Sequence, residues 1–222
     1  MSAFLGPVHH WLFKKIKIVE DREKALLDSF AKKYGDKPEK LGKELREKYG
    51  PWFGAEPLEE LIGQSPINGF FAETIERVET REAALIKALR DACGAEAGKF
   101  IMDAAYNHGQ KFGRAAVEEY GTENPNPEDI HKVLKNYFLD GMPGDSVVEI
   151  EQNSDVEFIE KHIHCLHMAY WKKAGAEGKF MCDYICRWID GFVDVFGGKI
   201  KHACTKSIAK GDETCVYAFK RG

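Results

Sequence analysis

The chain has 222 residues, 44% of them hydrophobic, 31% charged and 12% aromatic, with a formal net charge of −4 and a mean hydropathy of −0.41. Such a composition buries a core and excludes disorder as the main theme, and no apolar run approaches the roughly 18 to 20 residues of a membrane-spanning helix. The charge is nearly balanced and no Lys/Arg block exceeds a pair, so neither duplex nucleic acid nor membrane is expected as a partner.

Met1 to Phe13 lacks a basic start, a sustained apolar stretch and a small-residue cleavage site; it does not read as a signal peptide, and a cytoplasmic protein is expected. From Val8 to Tyr34 the apolar residues Trp11, Leu12, Ile16, Ile18, Leu26, Leu27 and Phe30 recur with a helical period. Pro38, Pro51, Pro57 and Pro66 then break Gly35 to Asn68 into short helices and turns, a connector or cap. Residues 1–67 thus read as a helical N-terminal extension or cap and residues 68–222 as the main domain. Phe70 to Ala92 and Ala95 to Tyr120 are two long helices. Gly109 and Gly113 inside the second cost roughly 1 kcal/mol each relative to Ala, which predicts close packing against another helix or a ligand. Asn126-Pro127-Glu128 is a cap followed by proline at the first helical position, and Gly141 to Gly144 closes that helix.

Beyond Gly144 the period changes from 3.6 to 2. Ser146 to Gln152 and Val156 to His164 form a predicted hairpin around Asn153-Ser154-Asp155. Cys165 to Ala174 and Phe180 to Phe196 are predicted helices, and Lys199 to Ala209 with Glu213 to Lys220 a second hairpin turning at Lys210-Gly211-Asp212. The order β-β-α-α-β-β makes this half α+β.

Five of the six cysteines (Cys93, Cys165, Cys182, Cys186, Cys204, Cys215) fall in the last third. Their irregular spacing, with no CxxC pair, favours metal binding, thiol chemistry or core packing over a disulfide framework, and reduced thiols are expected. His162, His164 and His167 surround Cys165. On a strand, His162 and His164 share a face with Glu160, a set able to chelate zinc or iron and equally a solvated edge. Cys182 and Cys186 lie one helical turn apart on the side of Ile189 and Val193, as packing requires, while Cys182 near the helix start is placed for a lowered thiol pKa. Cys215 alternates with Tyr217 and Phe219. One of His9 and His10 could be an axial ligand to a metallo-tetrapyrrole beside Trp11 and Phe13, or the pair simply opens an amphipathic helix. No serine nucleophile elbow, P-loop or dinucleotide-binding glycine pattern is present.

The run Lys206 to Phe219, with Gly211-Asp212, then Cys215, then Tyr217, resembles the closing motif shared by the 4-vinyl reductase domain family and the L-2-amino-thiazoline-4-carboxylic acid hydrolase family. Cys182-Asp183 after Ala174-Gly175 is similar to the Cys-Asp segment of the hydrolases, and Ala105 to Gly113 resembles the glycine-spaced helix of the vinyl reductase domains. Vinyl reductase domains that bind zinc carry a cysteine eight residues before the closing one. That position here is Ser207, and Cys204, three residues earlier, falls on the opposite strand face by parity, which favours the hydrolase branch.

The resemblance implies a helical N-terminal part followed by a vinyl-reductase-like antiparallel sheet packed with helices. It also implies a hydrolase that opens a 2-amino-thiazoline-4-carboxylate-type ring at a cyclic amidine by water attack on the amidine carbon, giving a carbamoylated cysteine. The residues available for that chemistry are His164 or Asp183 as base, Cys182 as nucleophile or structural neighbour, and Arg187 or Lys206 for the substrate carboxylate. His162, His164, His167 and Cys165 are the candidate metal ligands. The alternative is a non-enzymatic domain of the vinyl reductase type that holds a small molecule, a metal or a tetrapyrrole; Phe70, Phe71, Phe112, Tyr170, Trp171 and Trp188 suit it, as they suit a plain core. Zinc, iron or a metallo-tetrapyrrole are the cofactors in view, and a homo-oligomer is compatible with either reading. The functional pocket is expected between the Phe180 to Phe196 helix and the C-terminal sheet.

Overall fold

In a computed structural model that describes residues 5–121 and 125–222, helical periodicity governs the first part of the chain. It forms α1 (Pro7–Tyr34), α2 (Lys37–Tyr49), α3 (Leu58–Ile62), α4 (Ile67–Cys93), α5 (Ala97–Tyr120) and α6 (Pro127–Leu134). Then come β1 (Val148–Asn153), β2 (Glu157–His162), α7 (Met168–Lys173), α8 (Gly178–Asp194), β3 (Ile200–Lys206) and β4 (Cys215–Arg221), an α+β fold in the expected order. Of the opening segment, residues 1–4 lie outside the described residues. No described helix is long and apolar enough to cross a membrane.

Local chemistry sets several boundaries. Asn126 Oδ1 accepts the Asp129 N–H at 2.9 Å and Pro127 occupies the first turn, which starts α6. The predicted close approach of the α5 glycines is to α8. A Cβ on Gly109 would lie 2.0 Å from the Trp188 carbonyl oxygen, and one on Gly113 2.4 Å from that of Phe192. Gly191 of α8 answers them, since its Cβ would sit 2.1 Å from the Tyr106 carbonyl. The two backbones therefore touch, and α8 is held between α5 and the sheet.

The sheet order is β1-β2-β4-β3, antiparallel throughout. His162 stands opposite Cys215, Glu160 opposite Tyr217 and Phe158 opposite Phe219, so these side chains share the face turned toward the helices. Several boundaries differ from the sequence reading, among them the end of α6, which stops at Leu134 well before Gly141. β2 stops at His162 because β4 starts at Cys215, its partner; His164 lies in the bend beyond, and the strand alternation that would have aligned it with His162 and Glu160 does not reach it. The following helix begins at Met168 rather than Cys165, and the second hairpin turns through a short 3-10 segment, Ile208–Lys210, in place of strand.

The main core joins Leu26, Leu27 and Phe30 of α1 with Ile101 and Ala105 of α5, Tyr184, Trp188 and Phe192 of α8, and Phe158 and Phe219 of the sheet. A second cluster unites Leu12, Ile16 and Val19 with Leu58, Ile62, Phe71, Ile75 and Val78. Between α1 and α4 runs a layer of buried charge. Arg22 binds Glu82 through two hydrogen bonds of 2.5 and 2.6 Å, and Arg81 binds both Glu20 and Glu23.

Candidate functional site

A cleft opens where the segment after α6, the bend after β2 and the start of β4 meet. Phe138, Asp140, His162, His164, Cys165, Leu166, His167, Cys215 and Tyr217 line it. The four expected metal ligands, His162, His164, His167 and Cys165, all border this cleft, but the donor atoms of His162, His167 and Cys165 have other engagements. His162 sits with Nε2 3.0 Å from Glu160 Oε1 and Nδ1 3.4 Å from Ser146 Oγ. His167 Nδ1 meets both Glu79 oxygens, at 3.0 and 2.9 Å, and its ring stacks on Trp171. Burial works against charge on His167, but Glu79 outweighs it and raises its pKa. His164 stands exposed at the rim.

Glu160 anchors the inner wall. Burial pushes its carboxyl up, yet the imidazoles of His131, 2.8 Å away, and of His162 hold it far below the ordinary carboxylate range. Behind Phe138, Asp140 and Tyr217 lies an adjoining apolar cavity bounded by Leu134, Ile189 and Phe219, with Lys135 at its edge. Among the cleft's own lining residues none comes from α8, so the cleft sits beside the expected position, while the adjoining cavity reaches that helix at Ile189.

All six cysteines are free thiols. Four of them, Cys165, Cys182, Cys186 and Cys204, gather around a fifth, Cys215. Cys165 lowers the pKa of Cys215 to about 6 by hydrogen bonding to it, while its own is raised by the same contact. The sulfurs of Cys182, Cys186 and Cys204 all lie within 4.8 Å of one another. Hydrogen bonds from Cys186, then Cys204, then Ser207 hold the Cys182 thiol well below its usual range.

Cys204 and Ser207 lie on the same side of β3, not on the opposite faces that strand parity predicts. β3 carries a bulge: Cys204 pairs with Tyr217 and Lys206 with the adjacent Val216, so one extra residue restores both side chains to the same face. Ser207 Oγ then lies 3.0 Å from Cys182 Sγ.

The remaining expected residues lie elsewhere. Asp183 points outward and pairs with Lys210 at 2.5 Å. Arg187 lies over the Tyr106 ring, 4.0 Å from its centroid, and Lys206 is exposed at the end of β3; neither borders the cleft. His9 accepts the Gly6 N–H at 2.9 Å and stacks on Phe71, and His10 faces Glu59. Of the suggested pocket aromatics, Trp188 is committed to the core, its Nε1–H donating to His108 Nδ1 at 2.8 Å. His131, Asp140 and Cys204 as partners were missed. His131 lies one turn into a helix with a clear apolar face, and nothing local marks it as a partner of a residue 29 positions on, although the i, i+4 spacing of Cys182 and Cys186 was visible.

Residues 71–219 match the family model described as L-2-amino-thiazoline-4-carboxylic acid hydrolase. No curated protein matches the chain significantly. Among solved structures, the H-NOX protein from S. oneidensis in the Fe(II)NO ligation state is similar at 12% identity and a TM-score of 0.42, covering 92% of this chain and 98% of that one. A mutant of the Fe(II) unliganded H-NOX protein from K. algicida is similar at 11% identity and a TM-score of 0.40, covering 92% and 95%.

Proposed function

Because the chain belongs to the L-2-amino-thiazoline-4-carboxylic acid hydrolase family, we propose that it is a hydrolase-like protein that takes a small carboxylated cyclic amidine into the cleft between β4 and the bend after β2. One observation carries the reading. Every residue lining the cleft lies inside the family-matched segment, and acid–base groups of three kinds converge there: a carboxylate, imidazoles and two thiols.

In this reading water attacks the amidine carbon of the ring. His164, exposed at the rim, takes the proton from that water, and His162, oriented by Glu160, supplies one to the leaving heteroatom. Lys135 at the edge of the adjoining cavity is better placed than Arg187 or Lys206 to meet the substrate carboxylate. Cys182 acts from behind Cys215 as a neighbour, and Asp183, paired outward with Lys210, orients the start of α8. The division at residue 67 belongs to the same reading, since the matched segment opens within α4.

The apolar cavity behind the cleft favours a second reading, retention of a small ligand without turnover. The test is incubation of the purified protein with 2-amino-thiazoline-4-carboxylate, following substrate loss and the carbamoylated product by mass spectrometry. Turnover that falls by about 100-fold or more in His164→Ala and His162→Ala, the usual scale for losing a general acid or base, supports the hydrolase. Saturable binding with no product supports the second reading.

A further inference from the structure

We propose that Cys182 and Cys186 of α8 and Cys204 of β3 form a binding site for a single thiophilic d10 cation, Zn2+ or Cu+, distinct from the histidine-lined cleft. Their three sulfurs lie within 4.8 Å of one another. A cation bonded to thiolate sulfur at about 2.3 Å needs those sulfurs about 3.8 to 4.0 Å apart, so side-chain adjustment of about 1 Å or less closes the set.

Two separate features of the fold build this arrangement. The helical turn between Cys182 and Cys186 sets two thiols side by side, and the β3 bulge aims the third at them while bringing Ser207 Oγ to within 3.0 Å of Cys182. No imidazole or carboxylate belongs to the group. An all-sulfur set selects soft cations over magnesium, calcium or manganese. Cys182 is buried, but Cys186 and Cys204 are only partly so, which leaves an approach from solvent. Lys210, held against Asp183 at the start of α8, supplies positive charge beside the thiols and offsets part of the repulsion that three thiolates would otherwise meet. Three protein ligands leave the fourth position of a tetrahedral cation to Ser207 or to an exogenous group. The cation would tie β3, which pairs with β4 alone, to α8.

The test uses the full chain, reduced and stripped of metal, reloaded in parallel with Zn2+ and with Cu+ delivered from a chromophoric chelator, then desalted and assayed for metal. One retained equivalent is expected in at least one arm, and the arm that retains it identifies the cation. Loading with Co2+ should give sulfur-to-cobalt charge-transfer absorption in the near ultraviolet. Alkylation and mass mapping of the loaded wild type should show Cys182, Cys186 and Cys204 protected while Cys93 reacts, a readout that needs no variant to fold. The equivalent should be lost in Cys186→Ser and Cys204→Ser, both at partly exposed positions, and kept in Cys93→Ser. Failure to retain metal in either arm overturns the proposal. So does retention in both serine variants, or loss of metal in His162→Ala and His167→Ala alone, which would place the cation in the cleft.

Discussion

Glu23 shows how far one buried side chain can set the response of the protein to pH. It accepts hydrogen bonds from Arg81 Nε and Trp52 Nε1, and still burial pushes its carboxyl from 4.5 up to about 7, because the bonds return less than desolvation takes. A carboxyl whose pKa is higher folded than unfolded binds a proton in the native state where the unfolded chain has lost it. Its stabilising contribution is complete below the unfolded value of 4.5 and disappears as the pH rises through about 7. Between those limits Glu23 alone should lower stability by up to roughly 1.4 kcal/mol per pH unit. Glu23→Gln keeps an oxygen for Trp52 and Arg81 but cannot titrate, so its urea-unfolding free energy should vary less across this window than that of the wild type. Parallel curves for the two proteins would show that Glu23 is charged throughout. None of this was legible in the sequence, where Glu23 reads as one more charged residue between the apolar positions of α1. Its burial depends on α4, 58 residues away, and on Trp52 closing over it.

At the level of elements, the sequence was most informative where a local rule governs, as in the capped start of α6, the change of period after Gly144, and the glycines of α5. Gly109 and Gly191 permit the backbones of α5 and α8 to touch, so alanine at either should cost stability even though it is the better helix former. The favourable propensity change is about 1 kcal/mol, whereas a Cβ placed 2.0 or 2.1 Å from a carbonyl oxygen must drive the helices apart, so a net loss of about 2 kcal/mol or more is expected. Gly98→Ala, whose Cβ would meet only Phe180 at 3.5 Å, should be neutral or raise stability by up to about 1 kcal/mol. Thermal and urea unfolding of the three variants decides the matter; equal tolerance of all three would mean the α5–α8 interface yields. What the sequence concealed at this level was register. The end of β2 is set by where β4 begins, and the bulge that joins Cys204 to Ser207 is one added residue with no compositional mark, so parity counted along β3 alone gave the wrong face.

For the molecule as a whole, the question is whether the family-matched part can stand without the helices that precede it. α1 contributes Leu26, Leu27 and Phe30 to the same core as α5 and α8, and Leu12, Ile16 and Val19 to the second cluster with α4. It also supplies Arg22, Glu20 and Glu23, the partners of Glu82 and Arg81, and Lys15, whose amine meets Asp140 at the cleft at 2.6 Å. Removing one member of a buried ion pair costs about 3 to 5 kcal/mol, because the remaining charge is left in a medium that cannot solvate it. A fragment of residues 68–222 would strand Glu82, which also accepts the Tyr184 hydroxyl, and Arg81 together, and would open both clusters. Against a typical net stability of about 5 to 15 kcal/mol, that loss is expected to abolish cooperative folding. The fragment should show helical far-ultraviolet circular dichroism with little near-ultraviolet signal and no sharp thermal transition, and addition of a peptide spanning residues 5–34 should restore part of the tertiary signal. If the fragment unfolds cooperatively by itself, the first 67 residues are a dispensable extension, and Arg81 and Glu82 must find each other or solvent in their absence.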